Sequence, residues 1–149
     1  MKNKILDAVK IQSRVVIPIV KALEKEIGEE RAHTVIGQAI AESYVAHRER
    51  RGFEPNTHPR TEQETGMDFP VERDFIEDTE TAYGFNITSC AFADYFRSIG
   101  EPKIGALMTC GVDFAAEDLV RPEWAFERTQ TRMQNAPHCD FRWRKRVPE

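Results

Sequence analysis

The feature that most narrows the possible fold is a change of hydrophobic period part-way along the chain. Through the first fifty residues apolar side chains recur at helical spacing, and after residue 80 they alternate singly with polar ones. Residues 5–27 are densely apolar, with Pro18 in their middle. Because proline lacks a backbone donor, two pieces are expected: a short helix before Ile17 and a second over 18–27, ended by Gly28. Residues 29–50 predict a longer helix whose stripe runs through Ala32, Val35, Ile36, Ala39 and Ile40. Its basic last turn, His47-Arg48-Glu49-Arg50-Arg51, suits the negative end of a helix dipole, and Gly52 closes it.

The second half reads differently. Residues 83–89 alternate and predict a strand. Cys90 then opens a helix with Phe92, Tyr95, Phe96 and Ile99 on its apolar face, stopped by Gly100-Glu101-Pro102. Residues 124–133 and 138–146 predict a hairpin about a turn at 134–137. Phe126, Arg128, Gln130 and Arg132 fall on one face of the first arm, and Cys139, Phe141 and Trp143 share a face of the second. Residues 53–70 are broken by Pro55, Pro59, Gly66 and Pro70 and predict a lid-like loop, with room for a short helix within 61–65. Residues 71–79 fit no period. The expected class is α+β, with N-terminal helices packed on a small antiparallel sheet that ends in a C-terminal hairpin. With no repeat and no compositional boundary, residues 1–149 are expected to form one domain.

Charge and cysteine usage limit the function classes. A formal net charge of −4 argues against a nucleic-acid partner, despite the basic run Arg142-Trp143-Arg144-Lys145-Arg146, which reads as a strand end with solvated charges. No apolar run approaches the roughly 18 residues that span a bilayer, so no membrane partner is expected. Asp7, Lys10 and Arg14 interrupt the apolar start, which argues against a signal peptide and makes the cytoplasm the expected compartment. Three cysteines, at 90, 110 and 139, are poor material for a disulfide framework and better material for reactive thiols or a metal. A small-molecule substrate is the expected partner, and a homo-oligomer stays open.

Chemistry concentrates in residues 105–114, where Cys110 and Asp113 stand three apart in an apolar segment. On a continuing helix they share a face within side-chain reach. A buried carboxylate is costly without a partner or a task. The plain alternative is a core cysteine beside a capping Asp, since free cysteine packs as a small hydrophobe.

Four elements carry a family pattern: Ser89-Cys90-Ala91-Phe92; Gly100-Glu101-Pro102-Lys103-Ile104-Gly105; Met108-Thr109-Cys110-Gly111-Val112-Asp113; and Phe126-Glu127-Arg128-Thr129-Gln130-Thr131 with Cys139-Asp140-Phe141-Arg142. Together they resemble the L-2-amino-thiazoline-4-carboxylic acid hydrolases, most distinctly over residues 83–144. The turn Asn135-Ala136-Pro137 departs from the glycine-containing turn of that pattern. The resemblance implies a hydrolase that opens a small cyclic amidine by adding water, acting on a carbon–nitrogen bond other than a peptide bond. The shorter stretch Cys139-Asp140-Phe141-Arg142 is also similar to the closing strand of vinyl-reductase-type ligand-binding domains. This supplies the rival, a small-molecule sensor without turnover.

What the resemblance implies for each residue can be weighed chemically. Cys110 is the candidate nucleophile, through a covalent intermediate that water resolves. Asp113 is the candidate amidinium partner or proton acceptor; as a thiolate stabiliser it would act in the wrong direction, since like charge raises a thiol pKa. Arg128 or Arg142 suits a substrate carboxylate, against surface pairing with Glu127 or Asp140. Cys90, Cys139 and His138 are further pocket candidates, with core packing as the plain alternative for the two cysteines. His47 and His58 are placed to reach in from the helix and the loop, and His33 reads as an ordinary helix residue. No cofactor is required. The competing metal reading gathers the three thiols around zinc or another divalent metal, with Asp113 or His138 as fourth ligand, but no C-x-x-C spacing supports it.

Overall fold

A computed structural model describes residues 2–64 and 68–149. Helix α1 spans Lys4–Ile27, capped at its start by the Asn3 side chain, which accepts the Leu6 N–H at 2.9 Å. It runs unbroken through Pro18, correcting the expected division at that residue. Pro18 lies on the exposed side of the helix, where water can satisfy the carbonyl that proline leaves without a donor. Val9 and Val16 before it, and Val20 after it, all face one cavity, so packing on the inner side holds the two halves in line. Gly28, at φ +86°, alone separates α1 from α2, Glu29–Arg51. His33 on α2 bonds back across this joint to Glu24 at 2.7 Å. Helix α3, Arg60–Glu64, falls in the irregular segment where a short helix was expected; Thr65 and Gly66 lie outside the described residues.

The sheet is antiparallel throughout and ordered β1-β2-β4-β3. Strand β1, Val71–Asp78, occupies the segment that fits no period. Register shifts between Glu72 and Arg73, and again between Phe75 and Glu77, break the alternation that would have revealed it. Strand β2, Ala82–Cys90, places Phe85 opposite Phe141 and Ile87 opposite Cys139 of β4, Cys139–Lys145. The inner face carries Phe85, Ile87, Cys139, Phe141 and Trp143. The outer face is polar: Arg142 donates to the Phe85 and Phe141 carbonyls and to Asn86 Oδ1.

The C-terminal hairpin forms, but its first arm is shorter than expected. Strand β3 is only Trp124–Glu127, paired to β4 from Lys145 to Arg142. Beyond it the Asp140 carboxylate takes over the partnering. Its Oδ1 accepts the N–H groups of Thr129 and Gln130 at 2.8 and 2.9 Å, and its Oδ2 accepts the Thr129 hydroxyl. A side chain thus replaces the next rungs of the ladder and releases the chain into a 3₁₀ turn at Arg132–Gln134. The expected alternation fails there: Arg128 and Thr131 line the cavity, and Gln130 and Arg132 do not. Asn135, at φ +69°, adopts the left-handed conformation that a glycine would take in this turn.

Residues 102–120, which hold Cys110 and Asp113, form three short pieces rather than one helix: α5, Pro102–Gly105; a π-helical turn, Ala106–Cys110; and α6, Val112–Val120. Gly105 starts the irregularity. A Cβ there would lie 2.4 Å from Cγ of the fully buried Phe96, so only glycine lets the backbone pass. The Gly111 N–H reaches five residues back to the Ala106 carbonyl at 2.7 Å, which widens the turn and aims Cys110 inward.

Candidate active site

Helices α1 and α2 on one side and the inner sheet face on the other flank an open cavity of about 800 Å³. Cys90, Cys110, Asp113, Arg128 and Cys139 all line it. Four separate elements (β2, the π turn, α6 and β4) and the loop after β3 therefore deliver these five residues.

Asp113, in the first turn of α6, is fixed by Arg128, whose Nη1 donates to Oδ2 at 2.5 Å. Nη2 of the same guanidinium donates to the Cys110 carbonyl at 3.0 Å, so one side chain ties the carboxylate to the thiol's backbone. The guanidinium itself lies 5.1 Å from the centre of the Phe114 ring and 5.4 Å from that of Phe141. Arg128 pairs with Asp113, not with Glu127 or Asp140. Burial pushes the Asp113 carboxyl up to about 6, against the pull of Arg128. Its side chain keeps 36% of its surface accessible, and that surface opens into the cavity rather than onto a charged exterior. Oδ1 has no hydrogen bond among the described residues and is available to a ligand.

Burial likewise raises the Cys110 thiol to about 11, with Thr109 and Arg128 opposing and Asp113 adding to the rise. The resting group at neutral pH is the thiol. Its sulfur lies 3.5 Å from Thr109 Oγ1. That hydroxyl already donates to the Gly105 carbonyl at 2.9 Å, so at rest the S–H is the donor of the pair.

Cys90 and Cys139 each hold a structural bond while facing the cavity. Cys90 caps α4, Ala91–Ser98, by accepting the Ala93 N–H, and Cys139 accepts the Arg132 N–H at 3.2 Å. Burial raises both thiols. His138 does not line the cavity, and its carbonyl accepts from Gln130. Arg142 is turned to the outer face. His47 lines the cavity from α2, whereas His58 is held outside it: its Nε2 donates to the Thr79 carbonyl at 2.6 Å, its Nδ1 accepts the Arg60 N–H at 3.2 Å, and its ring sits edge-on to Tyr83 and Trp124. Among the described residues, no three His, Cys, Asp or Glu side chains gather as a metal ion would need. No helix among them is long and apolar enough to cross a membrane.

A family model for L-2-amino-thiazoline-4-carboxylic acid hydrolase matches residues 9–143. The chain belongs to that family. A comparison with curated proteins finds no match. The hydrolase-family match takes in both long helices as well as the sheet, and every cavity-lining residue except Ile5. Several of those residues carry no obvious sequence signal. Thr109 becomes relevant only through the π turn. Glu117 is buried at the cavity wall, where it accepts from Arg121 at 2.9 and 3.0 Å and from Trp143 Nε1 at 2.9 Å, locking α6 to β4. Arg73 enters from β1, where the register shifts leave no clean alternation to point to it.

Proposed function

We propose that this chain hydrolyses a cyclic amidine, opening the ring through a covalent intermediate on Cys110. The observation that carries the reading is a thiol and a carboxylate facing one cavity, with the carboxylate held by Arg128 through one oxygen and free at the other. Asp113 Oδ1 matches an amidinium N–H, and the low dielectric of an apolar site strengthens that pairing. The ligand's positive charge then sits beside Cys110 and offsets the burial that holds its proton on.

In the reaction, the S–H proton leaves as sulfur bonds to the amidine carbon, and the C=N electron pair moves onto nitrogen. Asp113 relays the proton to the departing ring heteroatom as its bond to that carbon breaks. Water then adds to the same carbon, the Cys110 sulfur leaves and recovers a proton, and the ring-opened product carries the new oxygen. Thr109 stabilises the departing sulfur by turning its hydroxyl from the Gly105 carbonyl toward it. Arg128 acts as a positioning residue for Asp113 rather than as a direct anchor. Cys90 and Cys139 shape the wall, and none of these steps calls on a metal or cofactor.

Turnover by the Cys110→Ala variant tests the reading. On 2-amino-thiazoline-4-carboxylate or a related cyclic amidine, kcat should fall by roughly 10⁴ or more with binding retained, because a nucleophile acts mainly in the transition state. Near-normal turnover would defeat the thiol mechanism. Binding by the unaltered protein with no turnover on any cyclic amidine would favour the sensor.

A further inference from the structure

Arg73 reaches the cavity from β1, and its Nε is buried without a hydrogen-bond partner among the described residues. Among the described residues no carboxylate acts on its titration, and burial holds its guanidinium below the usual arginine range. The guanidinium lies 5.2 Å from the centre of the Phe85 ring. A half-buried guanidinium with an orphaned Nε carries a desolvation cost that a bound anion would relieve.

Its position relative to Asp113 gives the ligand's shape. Arg73 stands on one edge strand of the sheet, and Arg128, which holds Asp113, follows the other edge strand. Three strand steps, roughly 14 Å at ~4.8 Å per step, separate the two edge strands, and both guanidiniums lean over the floor between them. The floor between is aromatic: Phe85 stacks on Phe141 at 5.1 Å, and Phe141 packs under Arg128. The two ends therefore stand on either side of the Phe85 and Phe141 rings, with Arg73 5.2 Å from the first ring centre and Arg128 5.4 Å from the second. A five-membered ring bearing its carboxylate directly covers only about 4–5 Å at ~1.5 Å per bond. The volume of about 800 Å³ likewise suits a ligand larger than one small ring.

We propose that Arg73 is the anion anchor of this cavity, and that its ligands carry a carboxylate on an extended, mostly apolar body whose other end reaches Asp113. Only the placement of an amidine at that other end rests on the proposed function.

Calorimetric titration with defined probes tests both parts separately. For the anion anchor the probes are 4-phenylbutanoate and 4-phenylbutan-1-ol. The unaltered protein should prefer the carboxylate by about 10- to 100-fold, the range of a charge-assisted hydrogen bond. Arg73→Met should abolish the preference while leaving the alcohol's affinity within about threefold, and Arg73→Lys should keep part of it. Arg73→Met removes no hydrogen bond within the protein, so it should melt no lower than the parent; Arg73→Lys provides the reading if it does not fold. No preference in the parent, or a preference that survives in Arg73→Met, would overturn the proposal. For the other end, benzamidine should bind the parent and Arg73→Met alike and lose affinity in Asp113→Asn. Benzamidine binding indifferent to Asp113 would defeat the amidine reading and leave the Arg73 result standing. The joined probe 4-(4-amidinophenyl)butanoate should bind more tightly than either half and fall to the level of benzamidine in Arg73→Met; equal affinity in the two proteins would overturn the spanning geometry.

Discussion

Cys110 and Asp113 are both shifted away from their reactive forms by the same cause, the apolar wall around them. A thiol raised to about 11 should alkylate slowly at neutral pH, with a rate that keeps climbing past pH 9.5. Iodoacetamide labelling of Cys110, followed by peptide mass analysis, checks this; a plateau near pH 8.5 would mean an ordinary, solvated thiol. Asp113 works in the opposite sense to a usual salt-bridged carboxylate. Its folded pKa of about 6 exceeds the ordinary 3.8, so between these values the folded chain binds a proton that the unfolded chain has lost. Its contribution to stability is therefore fully present below about pH 4 and is lost as pH rises through about 6. The melting temperature of the parent minus that of Asp113→Asn should accordingly decrease from pH 4.5 to pH 7.5. The proposed mechanism uses the ionised form, so it predicts that kcat/KM rises through an apparent pKa near 6.

Among the elements, the π turn and the shortened hairpin arm do most to build the site, and neither was legible as such. Cys110 and Asp113 could be paired from their spacing alone, but the widening of the turn depends on Gly105 passing Phe96, a contact nine residues away in sequence. Gly105→Ala should destabilise the protein by about 1–3 kcal/mol through overpacking and should lower turnover by displacing Cys110, read from denaturant melts and kcat. The hairpin was legible as a hairpin, and the inward face of Cys139, Phe141 and Trp143 was right. Its early end was not, because a carboxylate at Asp140 competing for the N–H groups of Thr129 and Gln130 looks in sequence like any strand-borne acid. Pro18 misled for a related reason: local propensity argued for a break, and packing on the inner side overrode it. That override should leave a measurable residue. Pro18→Ala, at an exposed site, should restore one backbone hydrogen bond and raise stability by about 1–3 kcal/mol, seen as a higher melting temperature.

For the whole molecule, the α+β class followed from the change of hydrophobic period, since helical and alternating patterns cannot exchange roles. The family likewise followed from motifs in the second half, and its match extends over the helices too. The cavity was not legible. A cavity is a property of how α1, α2 and the sheet stand apart, and no local pattern encodes a gap. Arg73 stayed hidden with it, because an arginine on an edge strand reads as solvated until the space in front of it is known. The chemistry assigned to that space rests on sulfur. The most direct measurement is intact-protein mass spectrometry after rapid quenching during turnover of a cyclic amidine, with the modified residue located by peptide mapping. Attack by Cys110 predicts a transient adduct on that residue, absent from Cys110→Ala. Full turnover with no adduct at any quench time and undiminished rates in Cys110→Ala, or an adduct confined to Cys90 or Cys139, would contradict it.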